Sequence, residues 1–284
     1  MEIRTISVLG LGILGHGIAQ VAAQSGFQVT AYDIDEKAIE KGVGDIRSSL
    51  DRQIKKGKVS ESEAKEILSR ISTSIDLIKT VESAEVIIEA IPEVLELKKE
   101  TFRKINGSLK SEAIIASNTS QFSITELASV TTRADQFIGM HWFNPPQVMR
   151  LVELVRGLET SDSTVETILA LCRQFGKETI VCLKDTPGFV TTRILNAFLA
   201  EAYRVVEEGI ATAEDVDKAA KLAFNHPMGP LELADFSGLD TALRTAMALE
   251  AVYGERYRPT HTMRNLVSAG HLGRKTKRGW HTYG

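Results

Sequence analysis

A histidine and a glutamate twelve positions apart are the residues of this chain best suited to acid–base chemistry. His141 leaves a short apolar run and enters a Pro-Pro turn, whereas Glu153 lies within an apolar, strand-like segment at residues 148–155. A carboxylate buried without a partner is costly, so Glu153 needs a cationic or hydrogen-bonding neighbour, and the His141 imidazole is the candidate. A histidine held by a buried carboxylate can act as a general base near neutral pH. The alternative is that His141 is a structural histidine in a loop. The presence of Glu153 and of a cofactor-binding motif in the same chain favours the catalytic role.

A glycine-rich turn near the start of the chain predicts a dinucleotide-binding site. An apolar run at residues 6–9 leads directly into a G-x-G-x-x-G motif, and a helical pattern follows it. In this motif the first glycine permits a tight turn, the second lets backbone amides approach a pyrophosphate, and the third lets helix and strand pack closely. A purely structural turn is the alternative. The predicted cofactor-binding residues of this loop are Gly10, Gly12, Ile13, Leu14 and Gly15.

The acid at the end of the second apolar run indicates which dinucleotide is bound. Residues 27–33 end in Asp33, which lies 18 residues after Gly15, at the distance expected of a ribose-binding acid. Its carboxylate can accept hydrogen bonds from ribose hydroxyls but would repel a 2′-phosphate, and no arginine follows closely to bind one. The sequence therefore predicts NAD rather than NADP.

The composition is typical of a globular enzyme. The chain has 284 residues, of which 43% are hydrophobic and 25% charged, enough for a full core and two domains. Its net charge of −3 gives no reason to expect nucleic-acid binding. No apolar run approaches the roughly 18 residues of a membrane span, so no membrane partner is expected.

The two cysteines and the N-terminal residues predict a cytoplasmic protein. Cys172 and Cys182 have neither metal-ligand nor C-x-x-C spacing, so we expect buried, reduced thiols and no metal site. We expect the first strand to begin within about three residues of the N-terminus, which leaves no room for a cleaved signal.

The pattern of elements changes near residue 185. Before it, β-like runs alternate with helical ones, which predicts a Rossmann-type, doubly wound and largely parallel α/β sheet. After it, helical periodicity dominates. We predict an NAD-binding domain at residues 1–185 and an all-helical domain at 186–284 that contributes to the substrate cleft and to a homodimer interface. The predicted strands are 3–9, 27–33, 71–75, 86–91, 113–117, 136–140, 148–155 and 178–183, and the predicted helices include 94–109, 162–175, 189–208, 213–223 and 238–253.

A helical hairpin at about residues 36–70 interrupts the alternation. One helix is predicted near 36–55, and Ser60 begins a second in capping-box form. Basic residues cluster near the tip between them, either as a solvated face or as a site for a polyanionic group of the substrate. These residues are Arg52, Lys55, Lys56 and Lys58.

Over essentially its whole length the chain resembles the short-chain L-3-hydroxyacyl-CoA dehydrogenases, of the 3-hydroxybutyryl-CoA dehydrogenase type. The resemblance rests on several blocks of specific sequence and order. They are Gly10-x-Gly12-x-x-Gly15, Glu89-Ala-Ile-Pro-Glu93, Ser117-Asn-Thr-Ser120, His141-Trp-Phe-Asn144-Pro, Asp185-Thr-Pro-Gly-Phe189, Pro227-Met-Gly-Pro230 through Gly238-Leu-Asp240, and Gly273-Arg-Lys-Thr276.

This resemblance implies an NAD-dependent enzyme of fatty-acid β-oxidation and butanoate metabolism, which interconverts (S)-3-hydroxyacyl-CoA and 3-ketoacyl-CoA. It places the catalytic base at His141 and its partner at Glu153. It also places Ser120 and Asn144 at the reaction centre, where both can hydrogen-bond substrate or cofactor. Ser120 has a second interpretation, as a helix cap ahead of residues 124–127.

Further matched positions concern binding. The resemblance assigns cofactor contacts to Glu93, Lys98 and Lys275, and it makes the helical hairpin, with Lys55 and Lys56, the holder of the CoA moiety.

The chain departs from the family pattern at one substrate-binding position. Thr192 stands where the family usually has asparagine, and it keeps one hydroxyl but lacks the separate donor and acceptor of the amide. The preferred acyl group could differ for that reason.

Two other functions fit parts of the sequence. One is another NAD-dependent hydroxyacid dehydrogenase with the same two-domain build, acting on a small acid; many of these use a lysine base, which the His141–Glu153 pair argues against. The other is a non-catalytic, crystallin-like relative that keeps the fold. The intact His141, Glu153 and Ser120 argue against that reading.

Overall fold

The computed structural model describes residues 3–284, and the chain divides into two compact units, Met1–Thr186 and Pro187–Gly284.

The first unit is built on one eight-stranded sheet. Its strand order is β3-β2-β1-β4-β5-β6-β7-β8, and every neighbouring pair is parallel except β6 and β7, which are antiparallel. The predicted α/β class with a largely parallel sheet is therefore confirmed. The strands are β1 Thr5–Leu9, β2 Gln28–Tyr32, β3 Ile71–Ser74, β4 Val86–Glu89, β5 Ile114–Ser117, β6 Phe137–Trp142, β7 Leu151–Arg156 and β8 Glu178–Cys182.

The inner strands read as continuous apolar runs because they are covered on both faces. Every residue of β4, β5 and β6 is buried. Within residues 3–186, seven helices lie between the strands, although none lies between β6 and β7. They are α1 Gly15–Gln24, α2 Glu36–Lys55, α3 Glu61–Ser69, α4 Leu77–Val81, α5 Leu95–Asn106, α6 Ile124–Ala128 and α7 Asp162–Gln174.

The predicted helical hairpin is formed by α2 and α3. Ser60 starts α3 with a complete capping box: its hydroxyl accepts from the Glu63 backbone N–H at 3.2 Å, and the Glu63 carboxylate accepts from the Ser60 N–H at 2.7 Å. The start of α3 could be predicted from the local sequence, because the two partners of the cap, Ser60 and Glu63, are only three residues apart.

Strand β7 begins at Leu151 rather than at the predicted residue 148. The preceding residues form a turn instead, in which the backbone N–H groups of Val148 and Met149 both donate to the Pro145 carbonyl, at 2.9 and 3.0 Å. Because those groups are engaged within the turn, they cannot join the sheet ladder.

The second unit is helical, with a core formed by residues of several helices, among them Leu199, Tyr203, Leu231 and Met263. Sequence periodicity missed α10 and α12, which have eight residues each and are too short to give a clear helical repeat. The helices are α8 Thr191–Glu207, α9 Ala213–Ala223, α10 Pro230–Ser237, α11 Leu239–Tyr253 and α12 His261–Ser268.

The last residues of the chain are held by one buried acid. The Asp235 carboxylate, 1% exposed, accepts hydrogen bonds from the Trp280 and His281 backbone N–H groups at 3.0 and 2.9 Å. The Trp280 ring stacks on Tyr203, with 5.2 Å between ring centroids. This carboxylate therefore fixes the C-terminal segment on the helical core.

Between residues 3 and 284, no helix has the length and apolar character required to cross a membrane.

Removing the Phe102 ring should destabilise the first unit. Phe102 is fully buried and packs edge to face on Phe137, with 5.0 Å between ring centroids. Phe102→Ala should lower the free energy of unfolding by about 3–5 kcal/mol, the usual effect of truncating a core aromatic residue. Urea unfolding measures this change. Leu97→Ala, on the same helix but at a side chain that is 40% exposed, serves as the control and should change stability far less; equal effects would contradict the assignment of Phe102 to the core.

Candidate active site

His141 and Glu153 face each other across the one antiparallel pair of the sheet. They are directly opposed in the register of β6 and β7, so their side chains lie on the same face. The His141 Nδ1 atom lies 3.0 Å from the Glu153 Oε2 atom. Glu153 is fully buried and His141 is 6% exposed. The pair predicted from the sequence is therefore in direct contact.

This geometry determines which ring atom can exchange a proton with a substrate. Because Nδ1 is engaged by the carboxylate, proton exchange at the ring falls to Nε2. A carboxylate at Nδ1 fixes the tautomer and orientation of the ring and stabilises the imidazolium form. The arrangement can perform general acid–base catalysis.

Asn118 joins the end of β5 to the strand that carries His141. Its side-chain oxygen accepts from the Trp142 backbone N–H at 2.8 Å, and Asn118 is 8% exposed. Strands β5 and β6 are parallel neighbours, so their carboxyl ends meet at the edge where open α/β sheets bind ligands. Asn118 was not predicted as a site residue; its signal was its place directly after an apolar strand, next to Ser120.

Ser120 is held by the Glu93 carboxylate at the same edge of the sheet. The Ser120 backbone N–H donates to Glu93 Oε1 at 2.9 Å, and the Thr119 hydroxyl donates to the same oxygen at 2.6 Å. Ser120 does not cap the following helix, because Ser123 does so by accepting from the Glu126 N–H. The helix-cap interpretation of Ser120 is therefore wrong.

A buried lysine links Glu93 to a second acid beneath it. The Lys98 ammonium lies 2.6 Å from Glu89 and 3.1 Å from Glu93. Lys98 is 1% exposed and Glu89 is fully buried, whereas the Glu93 side chain is 28% exposed. The Ser117 hydroxyl donates to the other Glu89 oxygen at 2.6 Å. Two carboxylates and one ammonium thus form a closed, hydrogen-bonded group whose outermost member supports Ser120.

The glycine motif has the close contacts that its sequence requires. Gly10 has a φ of +93°, and a Cβ atom there would lie 2.7 Å from the Ala90 carbonyl oxygen. A Cβ atom at Gly15 would lie 1.7 Å from the Gly10 oxygen. The strand, the turn and the helix can therefore approach this closely only because neither position carries a side chain. At Gly12, by contrast, a Cβ atom would meet nothing within 4 Å. Open space therefore lies over the backbone of Gly12, where a pyrophosphate is expected to approach.

Asp33 lies beside this loop. Its carboxylate accepts from the Leu11 N–H at 2.8 Å and from the Ile34 N–H at 2.7 Å. The neighbouring strands β1 and β2 run in parallel, with Leu9 opposite Tyr32, which brings the acid to the loop that follows β1. Open backbone over Gly12 with a carboxylate held at its side fits a dinucleotide whose ribose carries free hydroxyls.

The remaining predicted site residues lie in three places. Asn144 is exposed in the loop that follows β6. Lys55 and Lys56 are exposed at the end of α2. Thr192 and Lys275 belong to the second unit, where the Lys275 ammonium lies 2.6 Å from Asp240. This ion pair joins the block around residues 238–240 to the block at residues 273–276.

Across residues 3–284, no group of three or more His, Cys, Asp or Glu side chains is arranged to hold a metal ion.

Comparisons with known proteins identify the family. The family model described as "3-hydroxyacyl-CoA dehydrogenase, NAD binding domain" matches residues 5–186, and the one described as "3-hydroxyacyl-CoA dehydrogenase, C-terminal domain" matches residues 188–283. The chain belongs to the 3-hydroxyacyl-CoA dehydrogenase family. The resemblance inferred from the sequence blocks is thereby confirmed, and the protein is an NAD-dependent 3-hydroxyacyl-CoA dehydrogenase.

Individual relatives in the family are similar over their whole length. A probable 3-hydroxybutyryl-CoA dehydrogenase of Bacillus subtilis is 45% identical over 284 residues, covering 100% of this chain and 98% of the relative. The 3-hydroxybutyryl-CoA dehydrogenase of Bradyrhizobium diazoefficiens is 41% identical, with 99% and 96% covered. The crystal structure of (S)-3-hydroxybutyryl-CoA dehydrogenase from Ralstonia eutropha matches with a TM-score of 0.96 and 47% identity, covering all of both chains.

Replacing the buried lysine of this dehydrogenase should cost much of its stability. Lys98→Met leaves Glu89 and Glu93 together without a cation, so the free energy of unfolding should fall by about 3–5 kcal/mol, as is usual when one partner of a buried ion pair is removed. Urea unfolding tests this. Lys104→Met, at an exposed position of the same helix α5, is the matched control. A Lys98→Met protein as stable as this control would show that the buried group does not depend on its ammonium.

Proposed function

We propose that this dehydrogenase interconverts (S)-3-hydroxybutyryl-CoA and acetoacetyl-CoA, with His141 as the acid–base catalyst. The contact between His141 Nδ1 and the buried Glu153, at 3.0 Å, is the observation that carries the catalytic assignment. The short-chain substrate is supported by the relatives named above, whose names specify 3-hydroxybutyryl-CoA dehydrogenases.

In the oxidative direction, His141 Nε2 accepts the proton of the substrate 3-hydroxyl. Glu153 holds the ring in the tautomer that can accept it and stabilises the imidazolium that forms. In the reductive direction, the imidazolium returns this proton to the developing alkoxide of the 3-ketoacyl ester. NAD, when bound, would be the hydride acceptor of the oxidation.

Ser120 and Asn144 orient the substrate oxygen and the cofactor in this proposal. Glu93 accepts from the Ser120 backbone N–H at 2.9 Å and from the Ser120 hydroxyl at 3.4 Å, which holds this serine at the carboxyl edge of the sheet. Asn144 follows His141 by three residues and offers both a donor and an acceptor. Both side chains would hydrogen-bond reacting groups without exchanging protons with them.

NAD would be held by the loop between β1 and α1 and by the acid beside it. The backbone amides over Gly12 and the N-terminal end of α1 suit a pyrophosphate, and Asp33 suits the ribose hydroxyls. Glu93 and Lys275 are further proposed contacts. Lys98, being 1% exposed, would act through Glu93.

The CoA moiety would be held by the tip of the helical hairpin and the acyl group by the second unit. Lys55 and Lys56 are exposed cations that can attract the phosphates of CoA. Thr192 is the proposed substrate contact in the second unit. Its single hydroxyl, in place of the amide of the usual asparagine, would be the cause of any altered preference for the acyl group.

We further propose a cytoplasmic homodimer. Large apolar side chains are exposed in the second unit, including Ile194 and Met247, which are 66% and 46% exposed, and a second copy of the chain would cover them. The thiols of Cys172 and Cys182 are buried, which is consistent with a reducing compartment. Sedimentation of the protein and of Ile194→Glu tests the dimer, since a charge at the interface should yield monomers.

NADH consumption with acetoacetyl-CoA tests the reaction. We expect turnover with this ester, less with longer 3-ketoacyl-CoA esters, and little with free acetoacetate or with NADPH. Faster turnover of long-chain esters would contradict the short-chain assignment and would direct attention to Thr192. Equal turnover of free acetoacetate would contradict recognition of CoA.

Replacing His141 should remove most of the activity. We expect His141→Ala to lower kcat by ~10²–10⁴-fold, the usual effect of losing a general acid–base, while NADH affinity stays nearly unchanged. Steady-state kinetics and NADH titration measure the two quantities. His261→Ala, at an exposed histidine of the second unit, should retain full activity. Unchanged turnover by His141→Ala would exclude this residue from the mechanism.

Replacing Asp33 should affect the cofactor selectively. Asp33→Ala removes the proposed ribose acceptor, so the Kd for NADH should rise much more than the KM for acetoacetyl-CoA. Glu40→Ala, at an exposed acid of α2, controls for the loss of one negative charge. Equal changes in both constants would mean that the cofactor does not lie beside Asp33.

A further inference from the structure

The loop that carries Asn144 contacts two other parts of the first unit. It spans residues 143–150, between the strand of His141 and the strand of Glu153. Asn144 itself is exposed, whereas Pro146 is buried. The position of Asn144 therefore depends on what holds the rest of this loop.

Lys177 holds the loop from the side of α7 and β8. Its ammonium donates to the Pro146 carbonyl at 2.6 Å and to the Met149 carbonyl at 2.8 Å. It also lies 5.7 Å from the centroid of the Trp142 ring. Burial of the Lys177 side chain lowers its pKa, so the ammonium is partly withdrawn from water at this position. Two charge-assisted hydrogen bonds to a short loop of backbone restrict its movement.

Helix α1 holds the loop through a second set of contacts. The Pro146 ring packs so closely on Gly17 that a Cβ atom there would lie 2.8 Å from Pro146 Cδ and 3.0 Å from Gln147 Oε1. The Gln147 side chain donates to Gln20 Oε1 at 3.0 Å, and Gln20 is fully buried. The helix that begins in the cofactor loop is thus also the surface on which the Asn144 loop rests.

The contact continues from α1 to the helical hairpin through a row of amide side chains. Gln20 Nε2 donates to Gln24 Oε1 at 3.1 Å, and Gln24 Nε2 donates to Gln53 Oε1 at 3.0 Å. Together with Gln147, all donors point in the same direction, and hydrogen bonds arranged head to tail strengthen one another. Gln53 lies two residues before Lys55.

We infer that Lys177 and the Gly17–Gln20 face of α1 are positioning elements for catalysis, which hold Asn144 in register with the cofactor loop. The inference rests on the proposed function in one respect, namely that Asn144 acts at the reaction centre. Lys177 and Gly17 touch neither substrate nor cofactor in this role. They act on turnover through the loop, because displacing a reacting group by a small distance strongly lowers the rate.

Two variants disturb the loop at separate contacts. Lys177→Met removes both hydrogen bonds, and Gly17→Ala forces Pro146 away from α1. Each should lower kcat by about 10- to 100-fold while the KM values for NADH and acetoacetyl-CoA change little, as expected for misplacement of a reacting group. Lys177→Arg, which keeps a cationic donor, should recover part of the loss.

A matched glycine variant separates the effect of the Gly17–Pro146 contact from the effect of replacing a helical glycine by alanine. Gly44→Ala makes the same change in a helix, but its Cβ atom would meet nothing within 4 Å, so its kcat should stay unchanged. Alanine favours a helix over glycine by about 1 kcal/mol, so neither glycine variant should lose activity through helix unfolding. Equal loss in Gly44→Ala and Gly17→Ala would overturn the inference.

Double variants with Asn144→Ala decide whether the loop carries the effect. If Lys177 and Gly17 act through Asn144, adding Lys177→Met or Gly17→Ala to Asn144→Ala should cause little further loss. If kcat of a double variant falls a further 10-fold or more below that of Asn144→Ala, as much as in the single variants, the effect does not act through Asn144. That result would overturn the inference. Full activity of Lys177→Met and Gly17→Ala, together with impaired activity of Asn144→Ala, would overturn the inference but leave the proposed role of Asn144 intact. Full activity of Asn144→Ala would overturn the proposed role of this residue and the inference with it.

Discussion

The fully buried carboxylate of Glu153 is the constraint on which the proposed active site depends. An ionised carboxylate out of water needs a partner, and the protein provides one by reversing a single strand, so that His141 stands directly opposite. In a purely parallel sheet, the two residues would not be joined by a short loop of the same chain. The reversal therefore creates the proposed acid–base pair and also the loop that carries Asn144, at the edge of the sheet where cofactor and substrate are expected.

Buried charge is handled in a similar way at the carboxyl end of β4, two strands away from β6. Glu89, Lys98 and Glu93 compensate one another, and the group becomes progressively more exposed from Glu89 to Glu93. Only the outermost carboxylate reaches Ser120. Fixed charges thus orient the groups at the edge of the sheet from beneath, while the groups themselves remain available for ligands. Such preorganisation is the usual way in which a protein lowers the cost of stabilising charge during a reaction.

The sequence could predict the features that depend on local spacing. The glycine motif, the acid of Asp33, the capping box of Ser60 and the alternation of strands and helices all involve residues close in the chain. The pairing of His141 with Glu153 was predictable because a buried acid requires a partner. The contacts of Gln20, Gly17 and Lys177 with the loop were not, because each joins residues far apart in sequence and none has an unusual local pattern. The short helices α10 and α12 were missed because eight residues give barely two turns.

The two tryptophans of the chain fall one in each compact unit, which gives the molecule a natural pair of optical reporters. Trp142 is almost completely buried and packs on Phe175, and Trp280 stacks on Tyr203 within the helical unit. Indole emission depends on the surroundings of the ring, so the two units contribute separate signals. Replacing Trp280 with phenylalanine would leave an emission that follows the sheet unit, and replacing Trp142 would leave one that follows the helical unit. Events in the two halves of the enzyme could thus be timed independently without attaching a dye.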